Sequence, residues 1–215
     1  NLISEYEYNL SKDDLGSTLE KIKPDAVEIH TEINRIDAFA KVVDILKSSK
    51  TKLKKLSISC GLNQSGKKSR EPEDLLRALW ERYEILDELN IPLIWQLDGR
   101  PMSGDLASTT SRETVKLFES IGSDLPPGLV QLAGGTNEKT HQYFKSKNLP
   151  DGIGFGSSAR KIMQPLIEFA HNKNKRLYED HERMAFAIKK AQKFLEPWKS
   201  SRFKSVSYTH LTLPT

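Results

Sequence analysis

The sequence predicts an α/β domain of repeated strand–helix units with parallel strands, and three observations predict it. Five short apolar runs recur along the 215 residues. Each run is rich in β-branched or aromatic residues and is bounded by Gly, Pro or Asp, as buried strands are. Segments with apolar residues at three- and four-residue spacing lie between the runs, and such alternation calls for parallel strands joined by right-handed crossovers.

The strands are expected at 26–30 (Ala-Val-Glu-Ile-His), 56–60 (Leu-Ser-Ile-Ser-Cys), 93–97 (Leu-Ile-Trp-Gln-Leu), 129–133 (Leu-Val-Gln-Leu-Ala) and 152–155 (Gly-Ile-Gly-Phe). After the first strand, Val42, Val43, Ile45 and Leu46 mark a helix. Leu75, Leu76, Leu79, Trp80, Tyr83 and Leu86 give the next one an apolar face, and Pro72 with Glu73 and Asp74 opens it. Val115, Leu117, Phe118 and Ile121 repeat the pattern, and 176–193 reads as a long charged helix closing the chain. Two architectures satisfy this order: the C-terminal part of a (β/α) barrel, and an open doubly wound five-stranded sheet. The barrel is preferred, because the chain lacks an initiating Met and its last two strands run into glycine loops as barrel strands do.

Composition narrows the function. Hydrophobic residues make up 37% and charged residues 29%, a balance that folds. No run of 18 apolar residues occurs, so no membrane association is expected. The net charge of +4 sits largely in basic segments such as 47–55 and 173–176, without the interleaved aromatics of a nucleic-acid surface, so no nucleic-acid partner is expected. Cys60 is the single cysteine. It excludes an internal disulfide and any zinc or cluster site built by this chain alone, and suits a reducing, cytoplasmic setting. Asn1 follows no signal-peptide pattern, so the chain begins at a processing site or inside a gene. Residues 206–215 back-translate, codon for codon, into a transposase adapter of sequencing libraries, and are expected to be non-native, leaving 1–205 as one domain truncated at its N-terminal side.

Three rim segments could carry chemistry. Gly134-Gly135-Thr136-Asn137 follows the fourth strand, and Gly154, Gly156, Ser157, Ser158 and Arg160 follow the fifth and run into a helix. Barrels bind phosphate with these loops, because glycines admit an anion close to the backbone and a helix N-terminus points N–H groups at it. The alternative is that the glycines only make tight turns and Ser157 only caps a helix. Asp98, Arg100 and Asp105 follow the third strand, where this fold places active sites. Their spacing specifies no reaction, so catalytic residues stay unassigned and a non-enzymatic role is preferred. His30 ends the first strand on the same rim and Cys60 ends the second, the latter read as a small buried hydrophobe. None of these residues is expected to hold a metal.

Residues 26–31, 94–105 (Ile-Trp-Gln-Leu-Asp-Gly-Arg-Pro-Met-Ser-Gly-Asp), 130–137 and 154–160 together resemble the C-terminal domain of the light-dependent period family, LdpA. The resemblance runs over nearly all of 1–205. It implies a cyanobacterial iron–sulfur protein that passes redox state, and with it light history, to the circadian clock. It also implies [4Fe–4S] clusters held by a cysteine-bearing part that precedes a segment like Asn1-Leu2-Ile3, with no cluster bound by this chain. The implied partners are clock-input or other redox-signalling proteins. A barrel enzyme or sensor of a small phosphorylated ligand, working through Gly134–Asn137 and Gly156–Arg160, is the alternative.

Overall fold

The computed structural model describes residues 12–62, 71–99, 110–146 and 148–199. Its order is α1 (Lys12–Ile22), β1 (Ala26–His30), α2 (Ile36–Ser48), β2 (Lys55–Gly61), α3 (Pro72–Leu86), β3 (Leu93–Asp98), α4 (Thr110–Ile121), β4 (Leu129–Ala133), β5 (Gly152–Ile153), α5 (Ser157–His171) and α6 (His181–Lys199). All four strand pairs are parallel, and the strands lie side by side in chain order, β1-β2-β3-β4-β5. A doubly wound sheet reverses its order at a switch point. This one does not, so its winding is that of a barrel segment whose described strands stay open.

Sequential order and right-handed crossovers send α2, α3 and α4 to one side of the sheet. Strand residues of one parity meet them there. Ile29, Leu56, Ile58, Trp95, Leu97 and Leu132 pack with Phe39, Val43, Leu75, Leu79, Val115 and Phe118 in one continuous core. Pro72 starts α3, where its missing N–H costs nothing, and Glu73 and Asp74 complement the positive end of the helix dipole. Trp80 departs from the predicted apolar face: it is 41% exposed, at the edge of the layer, and its indole N–H donates to the Asp124 carbonyl at 2.9 Å.

Among the described residues the β4-to-β5 crossover carries no α-helix between its strands, only a 3-10 turn at Thr140–Tyr143. That turn rests on α4, with Phe144 edge-on to Phe118 at 6.0 Å. The thin spot is filled by the end of α6. Trp198 is buried there and stands edge-on to Phe144 at 5.9 Å and to His141 at 6.3 Å, while Phe194 meets Phe155 at 4.4 Å. The closing helix therefore starts later than its charge pattern suggested, after a short 3-10 turn at Leu177–Glu179, and runs six residues further, to Lys199. The fifth strand is shorter than predicted, ending at Ile153, because Gly154 already turns away into the loop. Residues 206–215 lie outside the described residues.

Trp198→Ala should lower the unfolding free energy by about 3 kcal/mol, since it opens a cavity that no neighbouring strand can close. Phe186→Ala, at an exposed position of the same helix, should change it by less than about 0.5 kcal/mol. Urea titrations of both variants check the pair.

Candidate functional site on the polar sheet face

The parity that does not face the helices is polar. It brings together Glu28 and His30 from β1, Ser57 and Ser59 from β2, Gln96 and Asp98 from β3, and Gln131 from β4. Register sets His30, Ser59, Gln96 and Gln131 in one row across four strands, and Asp98 two residues further along β3, beside Gly61 and Ala133. The row is wired. Gln131 Nε2 donates to Gln96 Oε1 at 2.6 Å, and Gln96 Nε2 donates to Glu28 Oε1 at 2.7 Å. His30 Nε2 lies 2.9 Å from the same Glu28 oxygen. Ser59 donates its hydroxyl proton to Asp98 Oδ2. Ser59 and Gln96 are buried, so their hydrogen bonds are needed there, since a buried amide without partners costs about 1–3 kcal/mol. At Gly99 the chain leaves β3 pressed against α4: a side chain there would collide with Thr114 Oγ1, 1.8 Å from the position a Cβ would take. A cavity of about 360 Å³ opens beside Asp98 and Gly99, bordered by Leu62, Glu113, Lys116 and Ser120.

Burial raises the Asp98 carboxyl above the usual carboxylate range. The Ser59 hydrogen bond and the His30 charge draw it back down, and the Glu28 charge pushes it up again. Two carboxylates and an imidazole thus share one field at the strand ends. They can bind a hydroxyl- or amine-bearing group, or hold and pass a proton. Among the described residues no set of three His, Cys, Asp or Glu side chains could hold a metal ion.

The glycine loops are built differently from a bare phosphate cradle. Gly134 and Gly135 have φ of 66° and 86°, which glycine adopts freely. That conformation turns their carbonyls towards α4, where Thr114 Oγ1 donates to Gly134 O at 2.8 Å and Ser111 Oγ to Gly135 O at 2.7 Å. Asn137 Nδ2 reaches Ser111 Oγ at 2.5 Å, Thr136 donates its hydroxyl to Gly154 O, and Ser158 Oγ donates to Thr136 O at 2.9 Å. These side chains tie the two loops to each other and to α4. What faces outward is the start of α5, which opens at Gly156 without a side-chain cap and with open space where a Cβ would stand. Ser157 and Arg160 sit on that first turn. Arg100 and Asp105 lie outside the described residues.

Cys60 does not join the polar row. Its parity turns it into the helix layer, where it is buried and its thiol is pushed up to about 11 by desolvation. Its charged neighbour there is Arg82, which no pattern in the sequence marked. Arg82 is fully buried on α3, stacks over Phe39 at 5.3 Å, and donates to Glu32 O at 2.6 Å and Thr31 Oγ1 at 3.2 Å. It clamps the loop that leaves β1 beside His30. The sequence singled out His30 and Asp98 but missed Glu28, Ser59, Gln96 and Gln131. Alternation of polar residues within otherwise apolar strands was the available signal, since a parallel strand covered on both faces reads as a nearly continuous apolar run.

A model of the light dependent period A C-terminal domain matches residues 18–197. The chain belongs to that family. It is also 30% identical over 184 residues to the Light dependent period A protein of Synechococcus elongatus, covering 82% of this chain and 50% of that protein. The chain thus spans about half the length of this curated relative. No solved structure matches it. The matched LdpA span contains β1 to β5, the polar row and both glycine loops, and ends two residues before α6 does.

Two measurements test the site's electrostatics. An acid with a raised folded-state value binds its proton more tightly when folded. Its stabilisation is therefore present below the unfolded value of 3.8 and is lost as pH rises through the folded value. The urea midpoint of Asp98→Asn, which lacks this slope, should gain on that of the parent as pH is raised from about 3.5 to about 7. Cys60 should hold about a hundredfold less thiolate at neutral pH than an ordinary thiol. Its reaction with a disulfide reagent should consequently wait for unfolding, a sequence of events that absorbance under native and denaturing conditions resolves.

Proposed function

We propose that this domain is the recognition half of a light-timing protein: it reads a ligand or a partner on its polar sheet face, while iron–sulfur clusters sit in the rest of the full-length protein. Membership of the LdpA family supports the light-timing role. The observation that carries the recognition role is the hydrogen-bonded network Gln131–Gln96–Glu28–His30 on the polar sheet face, which leads to His30 and Asp98 at the carboxyl ends of β1 and β3, where folds of this winding bind ligands. The residues of this chain do not themselves fit a cluster. Cluster irons take several cysteine thiolates, and the single thiol here is buried and hard to ionise. Clusters answer redox change through their potentials, and this domain passes that change on to clock-input or other redox-signalling proteins.

A second reading rests on the uncapped start of α5. Its free N–H groups and Arg160 suit a phosphate better than the polar face does, where Glu28 and Asp98 repel an anion. In that reading the domain senses a phosphorylated metabolite.

The test uses the full-length gene. Anaerobically purified full-length protein should contain iron and acid-labile sulfide with a paramagnetic signal on reduction, and this domain should contain none. Gln96→Leu in the full-length gene should leave the iron content unchanged and abolish the dependence of circadian period on light intensity. An unchanged period response with the row broken would remove the recognition role from this face. Thermal stabilisation by a sugar phosphate, lost in Arg160→Gln, would assign recognition to α5 instead.

A further inference from the structure

The hydrogen bonds of the polar face run in one direction, and Glu28 sets it. An ionised carboxylate only accepts, so Gln96 meets Glu28 with its amide nitrogen. The Gln96 carbonyl is then turned to Gln131, which has to present its own amide nitrogen. That leaves the Gln131 carbonyl over at the far end. Asp98 repeats the pattern, taking the Ser59 hydroxyl on Oδ2 alone. Glu28 Oε2, Asp98 Oδ1 and Gln131 Oε1 thus receive no hydrogen bond among the described residues. Against them stand one further N–H on each glutamine amide and the Ser57 hydroxyl, which serves either way. Acceptors are in excess, and two of them are carboxylates.

Neither carboxylate has a lysine or arginine of its own. Glu28 has His30 as its charged neighbour, and Asp98 forms no ion pair among the described residues. Lys116, on the border of the cavity beside Asp98, is already paired with Glu113 at 2.9 Å. Arg82 lies in the helix layer and gives its terminal nitrogens to oxygens of Ala78, Thr31 and Glu32. Carboxylates withdrawn from water are normally paired, so the half-buried Asp98 is short of a cation. The face is reachable, because the Glu28 and His30 side chains are 40% and 55% exposed at the β1 edge.

We propose that the polar face binds an organic cation bearing N–H donors, an ammonium or guanidinium group, carried by a small amine or by a partner's side chain. The proposal rests on the recognition role of this face and names what is recognised. Both carboxylates repel an anion. A neutral hydroxyl compound can pair with the free oxygens but gains nothing from their charge. A metal ion needs several converging ligands, and among the described residues no three His, Cys, Asp or Glu side chains supply them. An organic cation brings its own donors and needs only acceptors, which are already in place. The chain as a whole carries +4, so the attraction is local to this face and not a property of the molecule's overall charge.

Three four-carbon probes differ only at their ends: putrescine carries ammonium groups, 1,4-butanediol hydroxyls and succinate carboxylates. Agmatine adds a guanidinium to the first. Putrescine or agmatine at about 10 mM should raise the melting temperature of the chain by about 3 °C, and the diol and succinate should move it by less than about 1 °C. Glu28→Gln with Asp98→Asn keeps the size of both side chains and removes both charges, so it should abolish the shift. Asp98→Asn alone should weaken the cation about tenfold in titration calorimetry. Asp25→Asn, at an exposed carboxylate just before β1, should leave the shift intact. A capped pentapeptide with one central arginine, and a twin with citrulline, separate the sources. A response to the arginine peptide that the twin and the double variant lack, without one to the free amines, assigns the cation to a partner's side chain and supports the proposal. A shift that survives the double substitution, or no shift with any of the cations, overturns it. A shift with butanediol or succinate that Gln96→Leu removes overturns the cationic class and leaves the recognition role standing. That role falls separately, on an unchanged period response in Gln96→Leu, which needs no added amine.

Discussion

Strand order without a reversal, joined by right-handed crossovers, leaves the helices a single side of the sheet to cover. In a β-strand the side chains alternate, so this one constraint divides each strand into residues that build the core and residues that do not. Ile29, Ile58, Trp95 and Leu132 belong to the first set. Glu28, His30, Ser59, Gln96 and Gln131 belong to the second, and register lines the last four up across the sheet. A slip of one residue in any pairing would drive the polar set under the helices and expose the apolar one. The core and the polar row are held in place by the same register.

The buried arginine reinforces it. Arg82 joins α3 to the loop after β1, and its two terminal guanidinium nitrogens donate to backbone and hydroxyl oxygens in place of a carboxylate. Burial lowers its affinity for a proton, yet an arginine stays charged under any ordinary condition. A fixed positive charge thus sits beneath the end of the strand that carries His30, on the side away from the carboxylates of the row.

Much of this was legible in the sequence. The strands at Ala26–His30 and Leu129–Ala133 have the bounds their composition marked, because Gly, Pro or Asp stands beside them. Family and parallel α/β class were legible too, through a long motif and a strand–helix rhythm. The fifth strand was overextended, since nothing local distinguishes Gly152-Ile153 from Gly154-Phe155. Strand order was not legible, because neighbours in a sheet are set by tertiary packing. Without that order the polar residues inside apolar runs had no common face, so Gln96 and Gln131 read as noise. The glycine loops were recognised for their flexibility, but only coordinates reveal that their hydroxyls and carbonyls are spent on one another and on α4.

The central claim is that the polar face is a preorganised, hydrogen-bonded row, not a collection of solvated side chains. Nuclear magnetic resonance of the glutamine side-chain amides tests it most directly. The amides of Gln96 and Gln131 should be shifted from the values of exposed glutamine, should exchange slowly with solvent, and should both move when Glu28 is replaced by Leu. Two amides at random-coil positions, exchanging freely and indifferent to Glu28, would contradict it.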